Sequence, residues 1–258
     1  MPQFSTLIIV RDARDTIGRV VAAAQRVSAE VVVIDSGSAD GTQAIAEGAG
    51  ARVVAQAWLG YGPQKNYGAT LCRHDWVLSL DADEVPDATM QEALRAFAKT
   101  DVAPTQVHGL LRVTDYCGRW VRHGAWRDDV VWRLYHRDHA RWDDRPVHES
   151  LLTAPGAQRS VLPGELLHYS YPDAESYARK QEPYLQLSVD ALVADGKRAT
   201  WTKRHLAPAW RFVRGYVLQR GFLDGSAGWA IARADYRMVR EKYRRLAERN
   251  AAANQPSS

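Results

Sequence analysis

Three carboxylates, Asp81, Asp83 and Glu84, fall within four residues directly after the apolar run Trp76-Val77-Leu78-Ser79-Leu80. A run of that length and composition is strand-like. In open α/β sheets, ligands gather at the carboxyl ends of strands. The pattern therefore predicts a buried strand that delivers Asp81 and Asp83 to a site. Carboxylates this close raise one another's pKa unless a positive charge joins them. A divalent cation would remove that penalty, and carboxylates combined with diphosphate oxygens suit Mg²⁺ or Mn²⁺. The other reading of the same residues is a polar loop with an acid capping the helix near Asp87.

Further candidates lie on either side. Asp35-Ser36-Gly37-Ser38-Ala39-Asp40-Gly41-Thr42 is a turn rich in Asp, Ser and Gly, set between an apolar run and an Ala-rich helix. Lys65 stands near the start of a helix reading Gln64-Lys65-Asn66-Tyr67-Gly68-Ala69. A lysine there opposes the helix dipole, so it is either held by an anion or simply exposed. Glu149 follows Val147-His148, and His168 lies within Leu166–Tyr171. Each histidine reads either as a hydrogen-bonded structural residue or as a working one. In the working reading, His168 binds a metal or diphosphate and His148 orients Glu149.

The elements that must position these groups follow a strand–helix alternation. Strands are expected at Thr6–Val10, Val31–Ile34 and Arg52–Val54, and helices at Thr16–Val27 and Gln43–Glu47. Trp58–Pro63 is a loop, and a helix starts at Gln64 and runs to about Cys72. Another helix spans about Asp87 to Lys99, marked by Met90, Leu94 and Phe97. This alternation points to a parallel, doubly wound half. Strands follow at Gly109–Tyr116 and Val130–Tyr135. The charged, aromatic segment Arg119–Asp129 reads as acceptor-side surface rather than core. The final third is helical: Ser176–Val193, interrupted or kinked near Pro183, then Trp210–Gln219, a hinge-like break at Gly221–Gly225, and a last helix from Ile231 to about Arg249. On that helix Ala232, Tyr236, Val239, Tyr243 and Leu246 form an apolar stripe. Arg233, Arg237, Arg240 and Arg244 form a basic one beside it. The expected organisation is a catalytic domain over 1–172, a helical region over 173–250 and a frayed tail over 251–258.

Composition bounds the function. The chain has 258 residues, a net charge of +4 and two cysteines, Cys72 and Cys117. Two cysteines make neither a disulfide framework nor a metal cluster, so a reduced, cytosolic setting is the simplest reading. The apolar run at Leu7–Val10 is too short for a signal peptide, and no segment is long enough to span a bilayer. The basic balance, with a pI near 9.1, fits polyanionic company: nucleic acid, anionic lipid or a phosphorylated glycan.

Three elements in this order, the Asp35–Thr42 turn, Gln64-Lys65-Asn66 and Leu80-Asp81-Ala82-Asp83-Glu84, resemble the family 2 glycosyltransferases of GT-A fold. The likeness to bacterial lipopolysaccharide core β-glucosyltransferases continues through Gly118-Arg119-Trp120, Val147-His148-Glu149, Leu167-His168-Tyr169 and Arg220-Gly221-Phe222-Leu223-Asp224-Gly225. The resemblance implies a Rossmann-like α/β fold, a mostly parallel sheet with flanking helices, followed by a helical C-terminal region. It implies inverting transfer of a sugar, glucose from UDP-glucose, onto an inner-core sugar of a lipid-linked glycan. Asp35, Ser36, Lys65 and Asp81 would then face the nucleotide. Ser36 replaces a second Asp that in many relatives contacts the base. Asp81 and Asp83 match the DxD motif, which the working reading of His168 as a further metal ligand would join, and Glu149 matches the catalytic base, which the working reading of His148 would support. The cofactor would be Mg²⁺ or Mn²⁺. The enzyme would work in the cytoplasm, peripherally at the inner membrane, with no nucleic-acid partner.

Two other classes compete. A nucleotidyltransferase on a similar scaffold needs a Gly-rich phosphate loop after the first strand, and Arg11–Arg14 contains no glycine. A non-catalytic binder of membrane or nucleic acid would account for the basic C-terminus but leave the three motifs without a use.

Overall fold

The computed structural model describes residues 3–145 and 149–253. The chain divides into two compact units: Met1–Arg112 with Asp129–Tyr169, and Val113–Asp128 with Ser170–Ser258.

The first unit opens with β1 (Phe4–Val10), α1 (Ile17–Gln25), β2 (Glu30–Asp35), α2 (Thr42–Gly48), β3 (Arg52–Ala55), α3 (Tyr61–Leu71) and β4 (Trp76–Asp81). β1 pairs in parallel with β2 on one side and β4 on the other, and β3 extends the sheet beyond β2. Every residue of β1 and β2 is buried, so their stretches Leu7–Val10 and Val31–Ile34 are continuously apolar rather than alternating. Because the strands are parallel, Val10, Asp35 and Asp81 all end at one edge of the sheet.

β5 (Glu84–Pro86) and α4 (Ala88–Phe97) follow, and the Asp87 carboxylate caps α4 by accepting from the Met90 N–H at 2.7 Å. The strand and the helix-capping acid that the two sequence readings expect are both present, the strand ending at Asp81 and the cap being Asp87. The remaining strands are β6 (Val107–Tyr116), β7 (Arg119–Val121), β8 (Asp129–His136), β9 (Ala140–Trp142), β10 (Leu151–Thr153), β11 (Arg159–Val161) and β12 (Leu166–Tyr171). The main sheet runs β3-β2-β1-β4-β8-β6-β12-β5, with β7 and β11 also on β6, while β9 and β10 form a separate hairpin. The sheet is mixed: β3 to β4 are parallel, and β8 is antiparallel to both β4 and β6. One face packs Ile8, Leu78 and Leu80 against α1 and α4. The other packs Leu7, Val32 and Val77 against α3, Tyr135 and Trp142. α3 comes so close that a Cβ on Gly68 would sit 2.4 Å from Leu7 Cδ1.

The second unit holds α5 (Ala174–Ala194), α6 (Trp201–Val213), a π-helical turn at Arg214–Leu218, a 3₁₀ turn at Gly221–Asp224 and α7 (Gly225–Ala253). Several expected boundaries shift. α6 begins at Trp201 rather than Trp210, with Thr200 accepting from the Lys203 N–H as its cap. α5 runs unbroken through Pro183, anchored by buried Tyr177, Leu185 and Val189. α7 begins at Gly225 and continues past residue 251, and the expected break at Gly221–Gly225 is a 3₁₀ turn leading into it. The segment 119–129 is not purely surface. Val121 is buried in the core of this unit with Tyr116, Tyr177, Ala227 and Ile231, and Trp126 packs against them. Trp126 lies 5.6 Å from Tyr171 and 5.8 Å from Tyr177, ring centre to ring centre, so its aromatic content is packing.

Backbone meets backbone where the 3₁₀ turn crosses α7. A Cβ on Gly228 would lie 1.8 Å from the Gly221 carbonyl oxygen. Gly228→Ala is therefore expected to cost about 1–3 kcal/mol, as overpacking does. Urea unfolding followed by tryptophan fluorescence reads this; an unchanged midpoint would contradict the close crossing.

Candidate active site

The carboxyl edge of the parallel strands is built by side chains that bond neighbouring loops together. Asp35 Oδ1 accepts from the Gly37 and Ser38 N–H groups at 2.8 and 2.9 Å and from Gln43 Nε2 at 2.8 Å. Burial pushes the Asp35 carboxyl up, but these donors outweigh it and hold it below the usual carboxylate range. Its other oxygen, Oδ2, is buried with no hydrogen-bond partner among the described residues. The loop after β1 is bonded to the same turn: the Asp12 N–H donates to Ser38 Oγ at 2.8 Å, and the Ala39 N–H donates to Asp12 Oδ1 at 2.8 Å. Ser36 is held from α3, whose Gln64 Nε2 donates to Ser36 Oγ at 3.2 Å.

α3 starts at Tyr61, three residues earlier than the sequence suggests, so Lys65 lies in its second turn rather than at its mouth. Lys65 is not exposed; it is 1% accessible. Its Nζ lies 2.6 Å from Glu149 Oε1 and 3.4 Å from Asp81 Oδ1, and 4.4 Å from the centre of the Trp142 ring. A buried ammonium requires such partners, because desolvation without them costs several kcal/mol. The next residue, Asn66, fixes the far wall: its Nδ2 donates to the Trp142 carbonyl and its Oδ1 accepts from the Trp142 N–H, both at 2.9 Å. Asp143 then closes the loop that carries Glu149, with the Asp143 N–H donating to the Ser150 carbonyl at 3.0 Å and the Ser150 N–H to Asp143 Oδ1 at 3.1 Å.

Arg133 enters from β8. Its Nη2 donates to Asp81 Oδ2 at 2.5 Å and to Glu84 Oε1 at 2.9 Å. Arg112 from β6 reaches Glu84 at 3.2 Å and Asp129 at 2.9 Å. Glu84 is fully buried, and its Oε2 also accepts from the Asp81 N–H at 3.0 Å. Burial alone would raise the Asp81 pKa, but Arg133 and then Lys65 outweigh it and hold the carboxyl far below the usual range. Burial likewise works against the Arg133 charge, yet Asp81 and Glu84 raise its pKa further.

The structure thus brings Lys65, Asp81 and Glu149 into one network. Asp35 and Ser36 line the neighbouring loop. Asp83 and His168 form a second, adjacent pair, with His168 Nε2 3.4 Å from Asp83 Oδ2. The pairing of β12 with β5 sets His168 opposite Glu84, which accounts for a contact between residues so distant in sequence. His148, expected to support Glu149, lies outside the described residues, as does Val147. The sequence reading missed Arg133, Arg112 and Trp142. The available signal was a lone arginine inside the apolar run Val130–Tyr135.

No set of three His, Cys, Asp or Glu side chains converges as a metal shell among the described residues. The donors present still fit a hard divalent cation. Mg²⁺ is commonly held by one or two carboxylates, with substrate phosphates and water completing the shell. Asp83, with His168 beside it, would be the carboxylate open to such an ion, while both oxygens of Asp81, the other expected ligand, face Lys65 and Arg133.

A doubly wound sheet whose strand ends converge on acids and buried cations defines an α/β enzyme with a ligand site at its carboxyl edge. The sequence model of glycosyl transferase family 2 matches residues 5–162, and the chain belongs to that family: it is a glycosyltransferase with the family's GT-A-type sheet. It is similar to an uncharacterized glycosyltransferase of Rickettsia typhi, at 27% identity over 89% of this chain and 81% of the relative. It is also similar to the lipopolysaccharide core biosynthesis glycosyltransferase LpsC of Rhizobium meliloti, at 29% identity over 88% of this chain and 86% of that protein. Among solved structures, glucosyl-3-phosphoglycerate synthase from Mycobacterium tuberculosis, crystallised with Mg²⁺ and uridine diphosphate, aligns at 21% identity over 43% of this chain and 44% of that one, with a TM-score of 0.37.

Removing the Arg133 charge leaves Glu84 buried and unpaired on that side. Arg133→Met is expected to lose about 3–5 kcal/mol, as broken buried pairs do. Because Asp81's folded pKa is depressed, its contribution is fully present above the unfolded carboxylate value of about 4 and is lost as pH falls below it. Unfolding free energies measured from pH 7 to pH 3 should therefore fall with acidity in the wild type and fall less in Arg133→Met. Parallel profiles would mean that Arg133 does not hold Asp81 ionised.

Proposed function

We propose that the chain transfers a sugar, with inversion, from a nucleoside-diphosphate donor onto a lipid-linked glycan of the lipopolysaccharide core type. The observation that carries this reading is the buried Lys65, which joins a donor-side acid, Asp81, to an acid from a separate segment, Glu149. Single displacement needs a proton acceptor on the face opposite the leaving group, so base and donor contacts must come from different stretches of chain. The likeness to LpsC supports the acceptor class. The resemblance of the Asp35–Thr42 turn, Lys65 and the Asp81–Asp83 motif supports a UDP-sugar, with glucose as the sugar.

Each residue then has a distinct task. Asp35 shapes its turn through Oδ1 and keeps Oδ2 for the nucleotide. Asp81 receives the ribose, and Lys65 offsets phosphate charge. Asp83, with His168, would hold Mg²⁺ or Mn²⁺, which when bound supplies Lewis-acid stabilisation of the departing diphosphate. Glu149 accepts the proton of the attacking hydroxyl. Lys65 occupies Oε1, which fixes the carboxylate's orientation and leaves Oε2 for that proton. Asp143 is less suited to this role, because its oxygens bond Arg145 and the Ser150 N–H. On this reading the chain meets its lipid-linked acceptor peripherally at the inner membrane; no helix among the described residues is long and apolar enough to cross a membrane.

Two substitutions separate the tasks. Asp83→Asn should abolish transfer and remove the metal dependence of donor binding while leaving the melting temperature near wild type; full activity in excess EDTA would refute the metal's role. Glu149→Gln should preserve donor binding and lower turnover by roughly 10²–10⁴-fold. A collapse of donor binding as well would instead assign Glu149 to the nucleotide site.

A further inference from the structure

The apolar side chains left in water concentrate on one stretch of the second unit. Leu206, Trp210, Val213 and Val217 recur at spacings of four, three and four, and are 56, 59, 41 and 50% exposed. That spacing sets them on a single helical face, away from buried Pro208 and Gly215. Leu218, Phe222, Leu223 and Trp229, next along the chain, are exposed as well. Phe212 and Tyr216 each pack on Trp229 at 5.3 Å between ring centres, and Tyr216 on Phe222 at 6.3 Å, so the rings join the α6 and α7 sides into one surface. Scattered exposed apolar residues are ordinary, but a contiguous patch with tryptophans in it marks a contact surface.

Charge identifies the partner. Between Asp195 and Asp235 the sequence holds one acid, Asp224, against eight lysines and arginines. Asp224 is itself withdrawn, its side chain 7% exposed and bonded to His123 at 2.9 Å. Arg214 and Arg220 are exposed close to these residues in the chain. The basic stripe of α7 differs. Arg244 is bound by Glu241 and Glu248, and among the described residues no exposed large hydrophobic side chain lies beyond Trp229.

We propose that the face formed by α6, the π turn and the start of α7 seats on an anionic lipid leaflet. Trp210, Phe222 and Trp229 enter the headgroup boundary, and Arg214 and Arg220 meet lipid phosphates. Aromatic residues rimmed by arginine are the side chains that favour this interfacial zone. A second copy of the chain is a poorer occupant, since a self-complementary interface would bring these arginines together with no exposed acid between them. The inference rests on the preceding reading only for the membrane as destination.

Flotation of the full chain with phosphatidylcholine vesicles, with and without phosphatidylglycerol, tests it without any sugar transfer. Binding should require phosphatidylglycerol and weaken with salt. The double variant Arg214→Gln, Arg220→Gln should lose roughly thirtyfold in partitioning. The pair Trp210→Ser, Phe222→Ser should lose about tenfold or more with an unchanged melting temperature. The control triple Arg233→Gln, Arg237→Gln, Arg240→Gln should bind nearly as wild type. Loss in the control alone would overturn this face and leave the membrane reading intact. Absence of binding to any vesicle would overturn both while leaving the glycosyltransferase chemistry untouched. A dimer in sedimentation that Trp210→Ser, Phe222→Ser dissolves, with no vesicle binding, would assign the face to a second copy and overturn the proposal.

Discussion

Two buried cations and the acids that hold them set the terms for the first unit. Lys65 is 1% exposed and Arg133 4%. Neither charge can be left without partners in that environment, because the cost of an unpaired buried ion exceeds what local packing returns. Asp81 receives both of them, Glu84 shares Arg133, and Glu149 shares Lys65. The elements that supply these groups are thereby fixed in register. β8 pairs with β4 so that Leu78 lies opposite Leu134, which brings the adjacent Arg133 toward Asp81. A slip of one residue would turn Arg133 to the opposite face of the sheet and leave the acids uncompensated.

The same constraint links stability to chemistry. Asp81 is kept ionised by the residues that also define the site, so the group that would face a donor is already charged before any ligand arrives. Pre-paired groups of this kind need little reorganisation, which is how electrostatic stabilisation becomes effective in a partly dry site. Trp142 contributes from the side: its ring lies 4.4 Å from the Lys65 ammonium and its backbone is bonded to Asn66. The glycine at position 62 belongs to the same design, since a Cβ there would fall 1.8 Å from the Asp143 carbonyl oxygen. Close approach of α3 to the loop carrying Glu149 therefore depends on a side chain being absent.

The second unit is held by different means. Its core is aromatic, with Tyr116, Trp126, Tyr171 and Tyr177 in mutual edge or tilted contact. Asp235, 3% exposed, is bonded to Arg211 at 2.9 Å, and burial raises its pKa despite that partner. Arginines that look equivalent in sequence thus have different roles: Arg211 neutralises a buried acid, Arg245 bonds Glu182 of α5, and Arg214 and Arg220 remain in water.

Local pattern was enough for much of this protein. The unbroken apolar runs within β1 and β2, the strand ending in Asp81 and the helical final third all follow from periodicity, because burial on one or both faces writes itself into residue order. Asp35, Asp81 and Asp83 stood out for the same reason: polar groups placed at or just after strand ends interrupt an otherwise apolar pattern. Other features had no local signature. Whether Lys65 is exposed or buried depends on Glu149, eighty-four positions away. The reach of Arg133 to Asp81 depends on an antiparallel pairing that no short window encodes. The aromatic segment 119–129 read as surface because its partners, Tyr171 and Tyr177, lie some fifty residues downstream. Sequence determined which residues could carry charge and which must be buried; the tertiary structure decided which charges meet, because Coulombic pairing and desolvation act through space between segments that the chain order keeps apart.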